Sequence, residues 1–226
     1  MKMRKYKKLW ILACFVLFSG TMTYAALTVN PEALQDWKAV PQNSVTITPV
    51  ISCSGNYLTI IHLQAFLDTA TAHTGTGFLV QTSSQDSGNE DWQDFGGQFE
   101  GLVGTANSEA IIANPAVVGT QTFTVADTGG LYEAEPLGQW IAIEDGTLIN
   151  SELVFQTGFT ADATITILDG TTNQHAQNTL FWDIALTRNI ILPLGTNRAR
   201  LVINNTVDVN GSSLNFKASV IEVTGL

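Results

Sequence analysis

The C-terminal part of the chain has the clearest alternation of apolar and polar positions. Across residues 214–223 (LNFKASVIEV) the two classes alternate with a period of two, which is typical of a strand with one buried and one solvated face. Residues 199–206 (ARLVINNT) also indicate a strand, with Leu201 and Ile203 on one face. The connection, residues 207–213, contains an Asn-Gly pair, which is a strong turn signal. This pattern predicts a C-terminal β-hairpin.

Short strands separated by turns are predicted along most of the upstream chain. Residues 57–68 form the longest apolar run after the N-terminal region, and their imperfect alternation predicts a central strand covered on both faces. Residues 148–156 and 163–168 are predicted to pair around a loop centred on Gly158. Further strands are predicted at residues 44–49, 78–83, 121–126, 139–144, 180–186 and 189–192. About ten such strands, without an internal repeat, predict an all-β fold: one antiparallel, jelly-roll-like β-sandwich domain over residues 44–226.

The N-terminus has the three parts of a secretory signal peptide. Residues 1–8 carry five Lys or Arg side chains, and residues 9–20 are almost wholly apolar. Thr23-Tyr24-Ala25 has small side chains at the two positions that define a signal-peptide cleavage site. The apolar run is too short for a comfortable membrane span. We therefore expect residues 1–25 to be cleaved, with an uncleaved anchor as the alternative. The mature protein is then expected to be secreted, extracellular or on the cell surface, with the periplasm as a further alternative, and to have no membrane partner.

The next segment, residues 26–43, is predicted to be an N-terminal arm or a short helix. Asn30-Pro31-Glu32 resembles a helix start, with a capping side chain, a first-turn proline and an acid. Leu34 and Trp37 are three positions apart, on one helical face. These signals predict a short helix or turn over residues 31–37, and a mobile arm is the alternative.

Charge and cysteine content limit the classes of partner. The full sequence has a net charge of −10, and removal of the leader leaves five basic and all 20 acidic residues, a net charge of −15. Such a surface repels phosphate backbones, so nucleic acid is excluded as a partner. Cys53 is the single cysteine beyond the leader. It cannot form an internal disulfide and is predicted to be a small buried hydrophobe, with a reactive thiol as the alternative.

The most unusual segment is residues 84–101 (SQDSGNEDWQDFGGQFEG), predicted to be a long irregular connection. Five Asp, Asn or Glu side chains lie within nine positions, and calcium prefers six to eight oxygens in a flexible loop. The sequence thus predicts a weak calcium site, with a solvated acidic loop as the alternative, and the EF-hand pattern is absent. The candidate ligands are Asp86, Asn89, Glu90, Asp91 and Asp94.

The same segment holds candidate residues for binding a glycan. Trp92, with Phe95 and Phe99, would suit the flat aromatic platform on which sugar-binding sandwiches stack their ligands. The alternative is that these aromatic residues belong to the core, which is the role predicted for Trp140 and Trp182.

No catalytic motif is present, so three classes of function remain in order of preference. The first is an exported, non-catalytic β-sandwich that builds or decorates an extracellular or cell-surface structure and self-associates through the N-terminal arm or an edge strand. The second is a carbohydrate-binding module, either dependent on calcium or independent of it. The third is a glycoside hydrolase. Its candidate pair of catalytic carboxylates is Glu133 and Glu135, which are two positions apart and would share one face of a strand. His62, His73 and His175 are too dispersed to predict a zinc site.

Overall fold

The computed structural model describes residues 28–68, 76–88, 91–100, 102, 106, 108–111, 116–125, 138–160, 163–205 and 214–224. The predicted leader lies outside them. They form antiparallel ladders, and no described residue is helical. The strands are β1 (Thr28–Val40), β2 (Ser44–Ile47), β3 (Ile51–Ser52), β4 (Leu58–Leu67), β5 (Gly77–Ser83), β6 (Gln93–Glu100), β7 (Ser108–Ala110), β8 (Thr122–Thr124), β9 (Gln139–Glu144), β10 (Glu152–Thr160), β11 (Thr164–Ile167), β12 (Leu180–Trp182), β13 (Ala185–Ile191), β14 (Arg198–Asn205) and β15 (Leu214–Thr224).

The predicted antiparallel β-sandwich is confirmed. One sheet, called sheet A, has the order β1-β15-β4-β13, and the facing sheet B has the order β2-β14-β5-β6, with β3 also paired to β14. Their inner faces meet in the main core, where Leu63, Phe78, Leu201 and Phe216 are completely buried. The described residues form more than the predicted ten strands because several ladders are only two to four residues long.

A third sheet forms a small barrel that is inserted between β6 and β13. Its order is β7-β12-β9-β10-β11-β8, and an Ile111–Val125 bridge joins its two ends. The ring encloses a second core, which includes Phe123, Ile143 and Phe181.

Strands β9, β10 and β12 contribute to both cores. In β9, Ile141 and Ile143 point into the barrel, whereas Ala142 between them belongs to the main core. This is the period of two expected for a strand that is buried on both faces. The barrel therefore packs against the sandwich through shared strands.

The predicted C-terminal hairpin is wrong. β14 pairs with β2, β3 and β5 in sheet B, whereas β15 pairs with β1 and β4 in sheet A. Alternation tells which face of a strand is buried, but it does not tell which strand is its partner. Residues 206–213, which hold the Asn-Gly pair, thus connect two different sheets and lie outside the described residues.

The predicted helix over residues 31–37 is also wrong. Thr28–Val40 is strand β1, which pairs with β15 along its length with register shifts on either side of Gln35. Val40 is completely buried, so β1 is an edge strand of the sandwich and not a mobile arm. Proline is tolerated at a sheet edge, where Pro31 needs no second partner strand. The ladder with β15 overrides the local helix signals.

Residues 84–101 are only partly the irregular connection that was predicted. Gln93–Glu100 forms β6, which pairs with β5 across a bulge between Phe78 and Val80. The extra residues of this bulge are on β6, between Phe95 and Phe99, and Gly96 is one of them, with a φ of +75° that glycine adopts without strain. The prediction of a β10–β11 pair is confirmed, but Gly158 lies within β10 rather than in the loop.

Candidate functional site

One end of the outer face of sheet A carries a continuous set of apolar side chains. Residues paired across a ladder share a face, so the registers define two rows on the side away from the core. The first row joins Val29, Val223 and Leu58, and the second joins Pro31, Ile221, Ile60 and Ile191. We call these residues the apolar block.

The apolar block is accessible to solvent. The side chains of Val29 and Ile191 at its two edges are 59% and 61% exposed, and the central members are half-buried. Exposed apolar residues are ordinary when scattered, but contiguous ones mark interaction surfaces. The block spans all four strands of sheet A, from β1 to β13.

Polar rows separate the apolar block from the barrel. In the next row His62 lies between Ser219 and Asn189, and its Nδ1 is 2.6 Å from the Asn189 side-chain oxygen. His62 thus has a hydrogen-bond partner and lies on the outer face of sheet A. Beyond these rows Phe66 is completely buried on the same outer face, because Trp37 packs edge-on against it at 5.2 Å. Trp37 also donates a hydrogen bond to a backbone carbonyl in the β9–β10 connection of the barrel.

Arg198 of β14 organises the acidic loop after β5. Its guanidinium donates to the backbone oxygens of Gln85 (2.7 Å), Gly88 (2.6 Å) and Ser87 (3.0 Å), and to Ser83 Oγ (3.2 Å). The residue is only 8% exposed. A positively charged side chain of the protein thus holds the backbone of the loop that carries the predicted calcium ligands.

The predicted calcium ligands are not gathered around one point among the described residues. Asp86 is exposed and Asp91 is half-buried, whereas Asp94 accepts a 3.0 Å hydrogen bond from Gln81, which accepts one from Arg200. Within the described part of the chain, no group of three or more His, Cys, Asp or Glu could hold a metal ion. Two predicted ligands lie outside the described residues, Asn89 and Glu90.

The predicted aromatic platform is involved in packing. The guanidinium carbons of Arg200 and Arg198 lie 4.1 and 4.9 Å from the centre of the Trp92 ring, a cation–π arrangement. Phe95 is half-buried and packs against the main core. The backbone of Phe99 pairs with Phe78, and its side chain is not described. Trp92 is thus covered by arginine rather than presented as a bare ring.

Two other tryptophans differ from each other in exposure. Trp182 is 6% exposed and donates a hydrogen bond to Glu144, so its predicted core position is confirmed. Trp140 is 38% exposed, so its predicted core position is wrong. Strand β9 extends beyond the main core, whose last β9 residue on this face is Ala142. The alternation of apolar and polar residues shows which face of a strand is buried, but not where along the strand the core ends.

A buried acid–imidazole pair was not predicted from the sequence. Glu152 Oε1 lies 2.6 Å from His175 Nε2, and the same carboxylate accepts hydrogen bonds from the Thr172 amide and hydroxyl and from the Asn173 amide. Burial raises the pKa of Glu152, but these hydrogen bonds outweigh it and hold the pKa below its ordinary value. Glu152 is 9% and His175 1% exposed, and through these hydrogen bonds the pair holds residues 171–175 against the barrel.

The remaining candidate functional residues are the cysteine and the carboxylate pair named from the sequence. Cys53 is 4% exposed, and burial raises the pKa of its thiol, so the prediction of a buried cysteine is confirmed. Glu133 and Glu135 lie outside the described residues. The described residues contain no helix that is long and apolar enough to cross a membrane.

No family model and no curated protein matches the sequence. Among solved structures, the chain is similar to VP17, a capsid protein of bacteriophage P23-77, with 11% identity and a TM-score of 0.20 over 88% of this chain and 96% of that one. It is also similar to a chain of infectious bursal disease virus, Gx strain, with 8% identity and a TM-score of 0.25 over 89% of this chain and 42% of that one. The chain thus spans less than half of the length of the latter. Scores this low do not establish a shared fold.

Proposed function

We propose that this chain is an exported, non-catalytic structural subunit that assembles with copies of itself outside the cell or at its surface. The supporting observation is the apolar block, an exposed apolar face that extends across all four strands of sheet A. Residues of β1 contribute to it, so the segment predicted to mediate self-association acts here as part of a sheet face rather than as an arm.

The occupant that fits the apolar block best is the same block on a second copy. Two sheet faces pack about 10 Å apart with their side chains interdigitated, and burial stabilises by about 25 cal/mol per Å² of apolar surface. The block contains no charged side chain, whereas the whole chain has a net charge of −10. Two copies therefore repel each other over most of their surfaces but not at this face. A two-fold axis would bring the two patches together as a closed dimer.

Self-association is tested with the chain that begins at residue 26. Its mass, measured by sedimentation velocity over a range of concentrations, is expected to rise from monomer to dimer. Val29→Asp with Ile191→Asp places charge at both edges of the block, where the residues are already exposed, and should give a monomer that melts like the parent at concentrations at which the parent is itself monomeric.

The matched control carries two aspartates at other exposed valines. Val117 and Val118 are 62% and 65% exposed and lie on the barrel, away from sheet A. The Val117→Asp, Val118→Asp variant should dimerise like the parent. A parent chain that is monomeric at every concentration, or a control variant that is disrupted equally, would contradict self-association through the block.

Export is tested separately by N-terminal sequencing of secreted material. The sequence is expected to begin at Ala26 or Leu27. Retention of Met1 on cell-associated protein would instead favour an uncleaved anchor.

A further inference from the structure

A groove of about 460 Å³ lies on the barrel beside Trp140. Trp140 and Phe155 are directly opposite each other on β9 and β10, and their rings meet edge to face at 5.4 Å. The far wall is formed by Leu168, which is 58% exposed, and by Asp169 and Thr172. The groove thus combines aromatic and aliphatic walls with a carboxylate and a hydroxyl group.

The groove exists because the chain leaves the sheet after β11. The Leu168 amide still donates to the Phe155 carbonyl (2.8 Å), but the next residues turn away from β10. They return at Thr172, where the buried Glu152 carboxylate accepts two hydrogen bonds. The resulting gap between β10 and residues 168–172 is the groove.

Both walls are held in place by close packing. A Cβ atom on Gly170 would lie 2.5 Å from the Gly119 carbonyl oxygen, and the Gly119 amide donates to Thr171 at 2.8 Å. Gly138, with a φ of +76°, lies so close to Phe155 that a Cβ atom there would be 2.8 Å from its ring. The groove is therefore preformed, and a ligand would not have to order it.

We propose that this groove binds a neutral carbohydrate, with one pyranose ring stacked on Trp140. The apolar C–H face of a sugar matches an exposed indole, and its hydroxyl groups are donors for the Asp169 carboxylate. An anionic ligand is disfavoured by Asp169 and by the net charge of the chain. Phe155 packs against Trp140 and leaves one aromatic surface rather than the several faces of a cage for an organic cation. This site is independent of the proposed assembly, because it lies on the barrel and not on sheet A.

Binding is tested by calorimetry and tryptophan fluorescence with four neutral probes: cellohexaose, maltohexaose, chitohexaose and mannohexaose. We expect at least one to bind with a dissociation constant in the micromolar to millimolar range, unchanged between low and high salt. Trp140→Ala should weaken binding at least tenfold, and Asp169→Asn should weaken it several-fold with the fold intact.

Phe159→Ala is the matched control, because Phe159 is also on β10 and is 39% exposed but does not line the groove. It should bind like the parent, and thermal melts of all variants separate loss of binding from loss of fold. Absence of binding to all four probes would overturn the proposal. So would equal binding by parent and Trp140→Ala, or tighter, salt-sensitive binding of tetramethylammonium at the same site.

Discussion

At the scale of single residues, two buried side chains hold irregular segments against the sheets. Glu152 does so for residues 171–175, and Arg198 does so for the loop after β5. Each of these two side chains forms hydrogen bonds with several backbone groups. Hydrogen bonds that involve a charged group are stronger than those between neutral groups. The two sites therefore give the sharpest single-residue tests.

Glu152→Gln is expected to destabilise the protein in a pH-dependent way. The folded-state pKa of Glu152 is below that of an unfolded glutamate, about 4.3. Its contribution is therefore fully present above that value and is lost as the pH falls through the lower, folded-state pKa. At pH 7 the substitution should cost about 1–3 kcal/mol, since buried donors lose their acceptor. Urea unfolding of both proteins from pH 7 to pH 3 should show the difference shrinking below about pH 4.

Glu144→Gln is the control, because its expected sign is the opposite. Burial raises the pKa of Glu144, the hydrogen bond from Trp182 opposes the rise, and Asp68 and Asp145 add to it. A carboxyl with a raised folded-state pKa contributes most at low pH and loses that contribution as the pH rises. Stability at pH 7 should be unchanged or higher in this variant. Identical pH profiles for the Glu152 variant and its parent would contradict the assigned role of Glu152.

Arg198→Met is expected to release the acidic loop and to lower stability by about 2–3 kcal/mol, because three backbone oxygens lose a charged donor. Since the described residues gather no group of three metal-binding side chains and Arg198 already places a positive charge in the loop, the parent should melt at the same temperature in calcium, in magnesium and in chelator at one ionic strength. Arg200→Met is the control: Arg200 also contacts Trp92, but its guanidinium donates a hydrogen bond to Gln81 of β5. A rise of the parent melt that is specific to calcium would restore the predicted calcium site.

At the scale of elements, β1 is the strand whose role is most easily misjudged. Its outer residues belong to the apolar block, while Trp37 covers Phe66 and Val40 is in the main core. Deletion of residues 26–43 should therefore abolish cooperative unfolding, since loss of one large buried aromatic contact alone costs about 3–5 kcal/mol of a total of about 5–15.

The control for that deletion is a chain that lacks only residues 1–25, which should melt like the full-length protein. Circular dichroism melts and limited proteolysis would report both results. A folded, cooperative protein without residues 26–43 would mean that β1 is a detachable arm after all.

Most strand positions could be predicted from the sequence, whereas of the two predicted pairings only the local one, β10 with β11, is correct. The alternation in residues 214–223 and 139–144 locates β15 and β9, because burial of one face is a local property of the pattern. The partner of a strand depends on contacts far away in sequence, so β14 and β15 were joined into a hairpin that does not exist. The capping signals at Pro31 failed for the same reason.

The candidate sites were less predictable than the strands. Acidic and aromatic residues in one segment indicated metal and sugar binding, but the cation that organises that segment is Arg198, which is 110 positions distant from Gly88. The groove beside Trp140 combines β9, β10 and the segment after β11. These three segments are separated in the sequence, and no sequence motif indicates that they meet in one groove.

At the scale of the whole molecule, two cores are joined by strands that belong to both. β9, β10 and β12 cannot lose their barrel face without disturbing the side chains that they contribute to the main core. Such shared strands favour one cooperative unit over two independent domains.

Phe181→Ala is expected to lower one shared unfolding transition. Phe181 is completely buried in the barrel and packs edge-on against Phe123 at 5.0 Å, so its truncation should cost about 3–5 kcal/mol, or roughly 10 °C in melting temperature. Phe216→Ala, in the main core, should shift the same transition. Calorimetry that resolves two transitions, with each variant moving a different one, would contradict the single unit.

The buried thiol of Cys53 makes the unmodified protein a reporter of its own openings. Its amide donates to the Asn197 carbonyl at 2.7 Å, which ties the turn before β4 to the turn before β14, and a thiol reagent can reach the sulfur only when these turns separate. The labelling rate at low reagent concentration measures how often the open state is populated, and its plateau at high concentration measures how fast that state forms. Because Cys53 is the only cysteine after residue 25, a single kinetic trace on the chain that begins at residue 26 reports the fluctuations of one end of the sandwich without any engineered probe.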